Sequence, residues 1–192
     1  MAIVKYIKQL KNGRVSVGVD ECGEVRVYSI SSLAYSSMCF VVGGELSDDE
    51  LSELSRLDSM YRAIKKALSL LSYSDKNKKE LYLRLVRDGH SRENARLAVE
   101  YCLERGYINE DDQLERLVLR EANVNLRGPR YIREKLGAKG YSRDGIDSAI
   151  DLLVESGQID FVINFDILCD KKGVTDPAER RALAYKYGFR AE

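Results

Sequence analysis

The first 45 residues alternate apolar and polar positions with the period of two that is typical of β-strands. Three short runs rich in β-branched residues cover residues 3–10, 14–20 and 25–30. Asn12–Gly13 and Cys22–Gly23 separate these runs, and glycine in such positions favours tight turns. We therefore predict a small antiparallel sheet of about three strands. A sheet of this size is marginal alone and is expected to pack on a neighbouring helix.

From residue 46 onward the apolar positions follow the helical period instead. Ser47 and Glu50 have the spacing of a capping box, and leucines follow at positions 51, 54 and 57. Glycines then recur at intervals of roughly 11–22 residues, which favours helices of about 12–15 residues joined by tight turns. The two prolines of the chain, Pro129 and Pro177, fall at predicted first-turn positions, where proline costs no hydrogen bond.

One stretch of this helical part occurs twice. Residues 89–108, GHSRENARLAVEYCLERGYI, match residues 140–159, GYSRDGIDSAIDLLVESGQI, with a shift of 51 positions. Each copy has a serine, Ser91 or Ser142, that is the predicted N-cap of its helix. Four apolar residues match in pairs and predict a common buried face: Val99 with Ile150, and Leu103 with Val154.

The repeat extends upstream and gives units of three helices, an architecture found in solenoid-like stacks. The predicted fold class is mainly α, with tandem three-helix repeats preceded by a small N-terminal antiparallel β segment. A third unit begins near residue 160 and has two helices. The predicted divisions are an N-terminal β extension, a linker helix with the first repeat, a second repeat and a truncated third repeat, at residues 1–45, 46–108, 109–159 and 160–192.

Basic residues recur at matching positions of the two units. Lys or Arg stands at 76, 79, 84 and 92 and again at 127, 130, 135 and 143. On one helix, positions 76, 79 and 84 would fall within an arc of about 140°. Residues 127–143 hold six Lys or Arg and a single acidic residue. The candidate binding face therefore comprises nine cations: Lys76, Lys79, Arg84, Arg92, Arg127, Arg130, Arg133, Lys135 and Arg143. A solvated helix surface is the alternative interpretation.

Composition limits the class of protein. The 192 residues are 44% hydrophobic and 32% charged, which is typical of a folded chain, and the formal net charge is zero. A free-standing duplex-binding protein is usually strongly basic. The balance of charge therefore favours a protein that meets another protein, with nucleic acid nearby.

Nothing in the chain predicts a membrane or secreted protein. No apolar run approaches 18 residues, and the N-terminus lacks the apolar core of a signal peptide. We expect a cytoplasmic protein whose four separated cysteines, at 22, 39, 102 and 169, are small buried side chains in a reducing compartment. The single histidine, His90, is expected in a loop or cap.

The sequence contains no recognisable catalytic motif. Phosphate loops, dinucleotide-binding glycine patterns, zinc-protease motifs and the nucleophile elbow of hydrolases are all absent, and one histidine cannot build a histidine-based metal site. Asp111 and Asp112 are expected to stabilise a helix N-terminus through its dipole. We expect no enzymatic activity, cofactor or metal.

The helical part resembles the RecX family of bacterial recombination regulators. The resemblance lies mostly in residues 61–159. It is carried by the order and spacing of several elements: Ala67–Leu68, Glu80–Leu81 with Leu85, Gly106–Tyr107–Ile108 before acidic residues, Arg127–Gly128–Pro129, Ile132, Leu136 and Lys139–Gly140–Tyr141. The N-terminal strands are similar to an extension in some members. Residues 187–190 resemble the end of the family's penultimate helix, after which its final helix is missing.

The resemblance implies a function and a partner. Members of the family are built from tandem three-helix repeats and bind the RecA recombinase and its DNA filament. They inhibit its ATPase, filament growth and strand exchange, and so modulate recombination, DNA repair and the SOS response. A monomer in the bacterial cytoplasm with the nine cations facing RecA or DNA follows from this resemblance.

A direct DNA-binding module is the alternative. Short helices joined by tight turns resemble helix-turn-helix units, whose second helix could enter a DNA groove. Contact with single- or double-stranded DNA therefore stays open, and so does a general helical scaffold for another partner.

Overall fold

The computed structural model describes residues 2–11 and 13–190. The predicted turn at Asn12–Gly13 includes Asn12, which lies outside the described residues. The chain forms two compact units. The first contains residues 1–73 and 84–104, and the second contains residues 74–83 and 105–192. These units are defined by spatial contacts, so the division into sequence repeats stays a prediction.

The first unit begins with an antiparallel sheet, as predicted. Its strands are β1 (Ala2–Leu10), β2 (Arg14–Glu21), β3 (Glu24–Ser31) and β4 (Glu45–Leu46), in the spatial order β3-β2-β1-β4. Three of them were expected from the alternation. The fourth strand has two residues, which is too short to give a periodic pattern. Cys22 and Gly23, both with positive φ, make the tight turn between β2 and β3.

Three helices complete the first unit: α1 (Ser32–Met38), α2 (Asp48–Tyr73) and α4 (Arg92–Glu104). Val15, Val17 and Val19 of the sheet are fully buried in one cluster with Leu54 of α2. Asp58 of α2 accepts a 2.8 Å hydrogen bond from the backbone N–H of Ser29 in β3. The sheet therefore packs on a helix, as its small size required.

Helix α2 has 26 residues, about twice the length that the glycine spacing predicts for the helices after residue 89. It is longer because no glycine or proline occurs between residues 45 and 88, so nothing interrupts the helix at its middle. The capping box at its start is confirmed. Glu50 N–H donates to Ser47 Oγ at 3.2 Å, and Ser47 N–H donates to the Glu50 carboxylate at 2.9 Å.

The second unit is helical. Helix α3 (Lys78–Arg87) starts in this unit and ends in the first. The following elements are α5 (Glu110–Leu119), a π-helical turn (Arg120–Val124), α6 (Pro129–Lys139), α7 (Arg143–Glu155), α8 (Phe161–Lys172) and α9 (Pro177–Tyr187). Pro129 and Pro177 occupy first-turn positions, as predicted. The mainly helical fold with an N-terminal antiparallel sheet is therefore confirmed.

The repeated helix is α4 in the first copy and α7 in the second. Both predicted caps are confirmed: Ser91 Oγ accepts from Asn94 N–H and Ser142 Oγ from Gly145 N–H, each at 3.1 Å. The predicted buried face is only half right. Val99 and Ile150 are buried, whereas Leu103 and Val154 are 38% and 43% exposed. Leu103 lies four residues after Val99, and Val154 lies four residues after Ile150. Each such step moves a side chain further round the helix, and here it places the side chain outside the buried stripe.

Two of the four cysteines differ from the prediction. Cys102 and Cys169 are fully buried, but Cys22 and Cys39 are exposed, and all four are free thiols. Cys22 lies in the β2–β3 turn, and Cys39 follows α1 in the left-handed conformation. Turn positions of this kind lie at the surface, which is why the expectation of burial failed there.

One junction between helices occurs twice in the second unit. The side-chain amide of Asn77, just before α3, donates to the carbonyl of Lys139 at the end of α6. The backbone N–H of Gly128, just before α6, donates to the carbonyl of Tyr187 at the end of α9. The start of α3 is thus docked on the end of α6, and the start of α6 is docked on the end of α9. The repeat in the sequence is therefore also a repeat of packing.

Candidate functional site

The predicted cations fall into several different environments. Lys76 lies in the loop before α3, because α3 starts at Lys78. Its ammonium donates to Ser74 Oγ at 2.7 Å, and its backbone carbonyl accepts from Gln113. The prediction that Lys76 shares one helix face with Lys79 and Arg84 was therefore wrong. Lys79, on α3, is exposed.

Two predicted cations lie in the first unit. Arg84 pairs with Asp88 at 3.1 Å, and the same carboxylate pairs with Lys66 at 3.1 Å. The hydrogen bond from Lys66 lowers the pKa of Asp88 most, and Arg84 adds to this effect against the opposing effect of burial. Arg92 is exposed at the first turn of α4. Arg84 is thus tied into an ion-pair network, whereas Arg92 points a charge at solvent.

The clearest candidate surface joins the start of α6 to the end of α9. The Arg127 guanidinium lies 4.5 Å from the ring centre of Tyr131 and 4.4 Å from that of Tyr187. Arg130 lies 4.3 Å from the ring centre of Tyr185 and donates to its carbonyl. We call these five residues the basic–aromatic cluster. Stacking of this kind holds the guanidinium groups in place while leaving their charge available.

The tyrosines of this cluster were missed in the sequence. Tyr131 follows Arg130 directly, and Tyr185 and Tyr187 flank Lys186, so basic and aromatic residues are interleaved in both segments. That interleaving is a signal for surfaces that bind single-stranded nucleic acid or a protein partner. The two segments are 55 residues apart, and only the docking of α6 on α9 brings them together.

Lys135 has a structural partner. Its ammonium donates to Glu121 Oε1 at 2.8 Å and lies 5.7 Å from the ring centre of Tyr131. Glu121, in the π-helical turn, is buried and its backbone carbonyl accepts from Arg127 N–H at 2.9 Å. Burial, the largest influence, would raise the pKa of Glu121, but hydrogen bonds from Lys135 and Asn125 and the charges of Lys135 and Arg120 together lower it. Lys135 is therefore needed inside the fold.

The last two cations share one carboxylate. Arg133 of α6 donates to Asp147 of α7, and Arg143 lies 3.8 Å from the same side chain. Arg133 is half-buried, while Arg143 is largely exposed. Of the nine predicted residues, the structure thus brings Arg127, Arg130 and Lys135 into one neighbourhood. Arg133 and Arg143 meet at Asp147 instead.

The acidic pair that could have suggested a catalytic site lies at the start of a helix. Asp111 and Asp112 lie in the first turn of α5, whose N-cap is Asn109. Among residues 2–11 and 13–190, no group of three or more His, Cys, Asp or Glu side chains could hold a metal ion. Within the same residues, no helix is both long and apolar enough to cross a membrane.

Comparison with known proteins gives consistent relatives. No protein-family model matches the chain. Regulatory protein RecX of Lactobacillus gasseri is 26% identical over 148 residues, covering 77% of this chain and 54% of the relative. Regulatory protein RecX of Staphylococcus aureus strain JH9 is 24% identical over 143 residues, covering 73% and 53%. The chain spans about half the length of the curated relatives it matches.

The fold is shared with solved structures. A crystal structure of regulatory protein RecX superposes with a TM-score of 0.75 at 19% identity, covering 100% of this chain and 96% of the other. RecX from Lactobacillus salivarius gives a TM-score of 0.60 at 20% identity, covering 69% and 90%. The similarity to the first structure includes the N-terminal sheet as well as the repeats, since it extends over the whole chain.

Proposed function

Because the chain belongs to the RecX family, we propose that it binds the RecA recombinase on DNA and lowers its ATPase, filament growth and strand exchange. The protein would act by binding and would hydrolyse nothing itself. RecA and its nucleoprotein filament are the proposed partners, and the bacterial cytoplasm is the proposed location. Recombination and DNA repair, including the SOS response, are the processes that it would modulate.

The basic–aromatic cluster is the observation that supports this proposal most directly. Tyr185 is 71% exposed, and Arg130 stacks on its ring, so charge and a flat apolar surface are offered together. Arginine is suited to phosphate and carboxylate groups because its planar fork can bind both oxygens. A filament of protein on DNA presents both groups, and a cluster of this kind can bind either one.

The remaining predicted cations differ in their suitability for binding. Arg92 and Arg143 are exposed and can add long-range attraction to an anionic partner. Arg84, Arg133 and Lys135 already bind carboxylates of the fold. We assign the binding role to the cluster and to exposed cations, and a supporting role in the fold to these three residues.

Titration of RecA ATPase on single-stranded DNA tests the proposal at fixed salt. Inhibition well below one protein per RecA monomer would indicate capping or disassembly of filaments, and inhibition only near equimolar amounts would indicate coating of the groove. Equal ATPase rates at every ratio would contradict the proposal.

Matched variants test the assigned surface. Arg130→Gln with Tyr185→Ala removes one stacked pair of the cluster, and we expect at least about a tenfold higher concentration for half-inhibition. Lys8→Gln with Lys11→Gln removes two exposed charges near the sheet and is the control. If both pairs of substitutions leave inhibition unchanged, the cluster has no part in binding.

Binding to bare DNA distinguishes the alternative. A direct DNA-binding module would bind duplex DNA tightly without RecA, and its affinity would fall steeply with salt because each phosphate contact releases counterions. We expect weak binding to bare duplex, in keeping with a net charge of zero. Tight and salt-sensitive binding without RecA would favour the alternative.

A further inference from the structure

Strand β3 lies at one edge of the sheet, because the spatial order is β3-β2-β1-β4. In an antiparallel pair the N–H and C=O groups of one residue point to the same side, and this side alternates along the strand. Ser29 N–H donates to Asp58 of α2, so the backbone groups of Ser29 point away from β2. Val25 and Val27 have the same parity, and their backbone groups therefore also lie on the outer edge.

Side chains cover the second half of this edge. Ser29 N–H donates to the Asp58 carboxylate at 2.8 Å, and the Ser29 carbonyl accepts from the Arg14 guanidinium. The Val27 carbonyl accepts from Arg62 at 3.4 Å, and Arg62 also pairs with Asp58 at 2.7 Å. These contacts close the edge at Ser29 and at one group of Val27, as proteins commonly do at edge strands.

The first half of the edge is open. Among residues 2–11 and 13–190, no hydrogen bond is made by the Val25 N–H, the Val25 carbonyl or the Val27 N–H. The side chains of Val25 and Val27 are 51% and 48% exposed. This part of β3 thus offers backbone donors, a backbone acceptor and apolar surface together. An edge of this kind is a template for pairing with another strand.

The charges beside Val25 favour a second copy of this chain as the partner. Glu24 and Arg26 flank Val25 and lie on one face of the sheet, since successive side chains alternate. If two β3 strands pair antiparallel with Val25 opposite Val25, each Glu24 lies opposite Arg26 of the other copy, and opposite charges in such positions stabilise a strand pair. Arg26 also pairs with Glu21 at 3.2 Å, but 64% of its side chain stays exposed.

Other registers are less favourable. A pair centred on Arg26 would place the two Arg26 side chains opposite each other, and like charges in these positions are destabilising. A pair centred on Val27 would need the backbone groups of Ser29, which already bind Asp58 and Arg14. Charge and the closed half of the edge therefore both select the pair centred on Val25.

We propose that β3 pairs with β3 of a second copy of this chain, antiparallel and centred on Val25, to form a weak two-fold dimer. Val25 of each copy would donate to and accept from Val25 of the other. Because the overlap is short, we expect a Kd of roughly 0.1–1 mM and a monomer at micromolar concentrations. Copies held on one partner reach effective concentrations in the millimolar range, where the contact would form. This inference does not rest on RecA being that partner.

Sedimentation equilibrium tests the dimer. Between about 0.02 and 1 mM protein, the average mass should rise from that of the monomer toward that of the dimer. Val25→Pro removes the outward N–H without removing a bond within the sheet, and proline is tolerated at such edge positions, so this variant should keep the monomer mass. Circular dichroism verifies its fold. A constant mass for the wild-type protein, or an equal rise for folded Val25→Pro protein, would overturn the proposal.

Cross-linking tests the register. In a background with Cys22→Ser and Cys39→Ser, oxidised Val25→Cys protein should form a disulfide-linked dimer, because directly opposed residues have Cα atoms about 5.5 Å apart. Val27→Cys is the matched control, since it is similarly exposed on the same strand but lies opposite Gly23 in this register. It should give at least about tenfold less cross-linked dimer. Equal cross-linking of the two variants would overturn the register centred on Val25.

Charge reversal tests the flanking ion pairs. Glu24→Arg places like charges opposite each other in a dimer, and so does Arg26→Glu, so each variant alone should dimerise about tenfold more weakly. A mixture of the two variants restores opposite charges at both positions and should regain the average mass of the wild-type protein. If both variants are folded and their mixture still fails to associate, the pairing of Glu24 with Arg26 is wrong.

Discussion

The ammonium of Lys135 and the carboxylate of Glu121 form a hydrogen-bonded ion pair of 2.8 Å between α6 and the π-helical turn. The Glu121 side chain is 2% exposed, whereas that of Lys135 is 36% exposed. The pair is therefore unequal, because only the carboxylate depends on its partner for relief from burial. Residues recognised as a binding surface from their charge can thus have their main role inside the fold.

Removing Lys135 should destabilise the protein. Lys135→Met leaves the buried carboxylate without its nearest cation, and we expect a loss of roughly 1–3 kcal/mol in the free energy of unfolding. Urea unfolding followed by circular dichroism measures this loss. Lys139→Met, at an exposed position of the same helix, is the control and should change stability by less than about 0.5 kcal/mol. Equal effects of the two substitutions would contradict the structural role.

Acid should weaken the fold partly through Glu121. Its pKa in the folded protein lies below the ordinary value of 4.5, so the ionised form stabilises the native state. This contribution is complete above that ordinary value and is lost as pH falls through the lower, folded value. Compared with wild type, Glu121→Gln should lose stability less steeply below about pH 4.5. Parallel stability–pH curves for the two proteins would argue against a lowered pKa.

Substitution of alanine for two glycines of the α6 region should change the stability of the protein in opposite directions. A Cβ on Gly128 would lie 2.3 Å from backbone atoms of Gly188 and Phe189, so Gly128→Ala should cost about 2 kcal/mol or more. Nothing lies within 4 Å of a Cβ on Gly137, inside α6, so Gly137→Ala should stabilise by about 0.5–1 kcal/mol. Thermal unfolding of both variants decides this prediction. A tolerated Gly128→Ala would mean that α6 is not docked closely on α9.

Asn77 should contribute more than an ordinary cap. Its side chain is fully buried, accepts from Glu80 N–H at 2.8 Å and donates to the Lys139 carbonyl at 3.1 Å. Asn77→Ala should therefore cost about 2 kcal/mol, since it loses a cap and leaves a carbonyl without its donor. Ser142→Ala, which loses a cap only, should cost about 1 kcal/mol. Chemical unfolding of the two variants compares them. A smaller loss for Asn77→Ala than for Ser142→Ala would exclude the second role.

Thiol reactivity should divide the cysteines into two pairs. Cys22 and Cys39 are exposed, whereas burial raises the pKa of the Cys102 and Cys169 thiols. An aromatic disulfide reagent should modify two thiols quickly and the other two about 100-fold more slowly or only after unfolding. Cys22→Ser should reduce the fast group to one thiol. Four thiols of equal rate in the folded protein would contradict the structure.

Much of the fold could be predicted from local patterns. Alternation identified the three longer strands, and serine caps and first-turn prolines located helix starts, because these signals depend on neighbours within a few residues. The end of α2 at Tyr73 was not predicted, because the run after its capping box holds no glycine or proline to mark where the helix stops. Leu103 and Val154 were misplaced for a related reason, since a match in sequence does not show which side of the packed stripe a residue occupies.

The candidate site was harder to predict because it depends on contacts over a long range. Arg127 and Arg130 were identified from repeated charge, but their partners Tyr185 and Tyr187 lie more than fifty positions away. Similarly, the role of Lys135 is decided by a carboxylate that the basic pattern does not include. Charge indicates which residues can bind an anion, and only packing shows whether an internal anion already binds them.

The same junction joins α3 to α6 and α6 to α9, and this repetition has a consequence for how such a chain can evolve. The start of α3 fits the end of α6, and the start of α6 fits the end of α9. Duplication of one unit of about 51 residues would therefore create another copy of an interface that is already stable. No new interface would have to arise. The number of units, and with it the reach of the protein, can change by gene duplication alone.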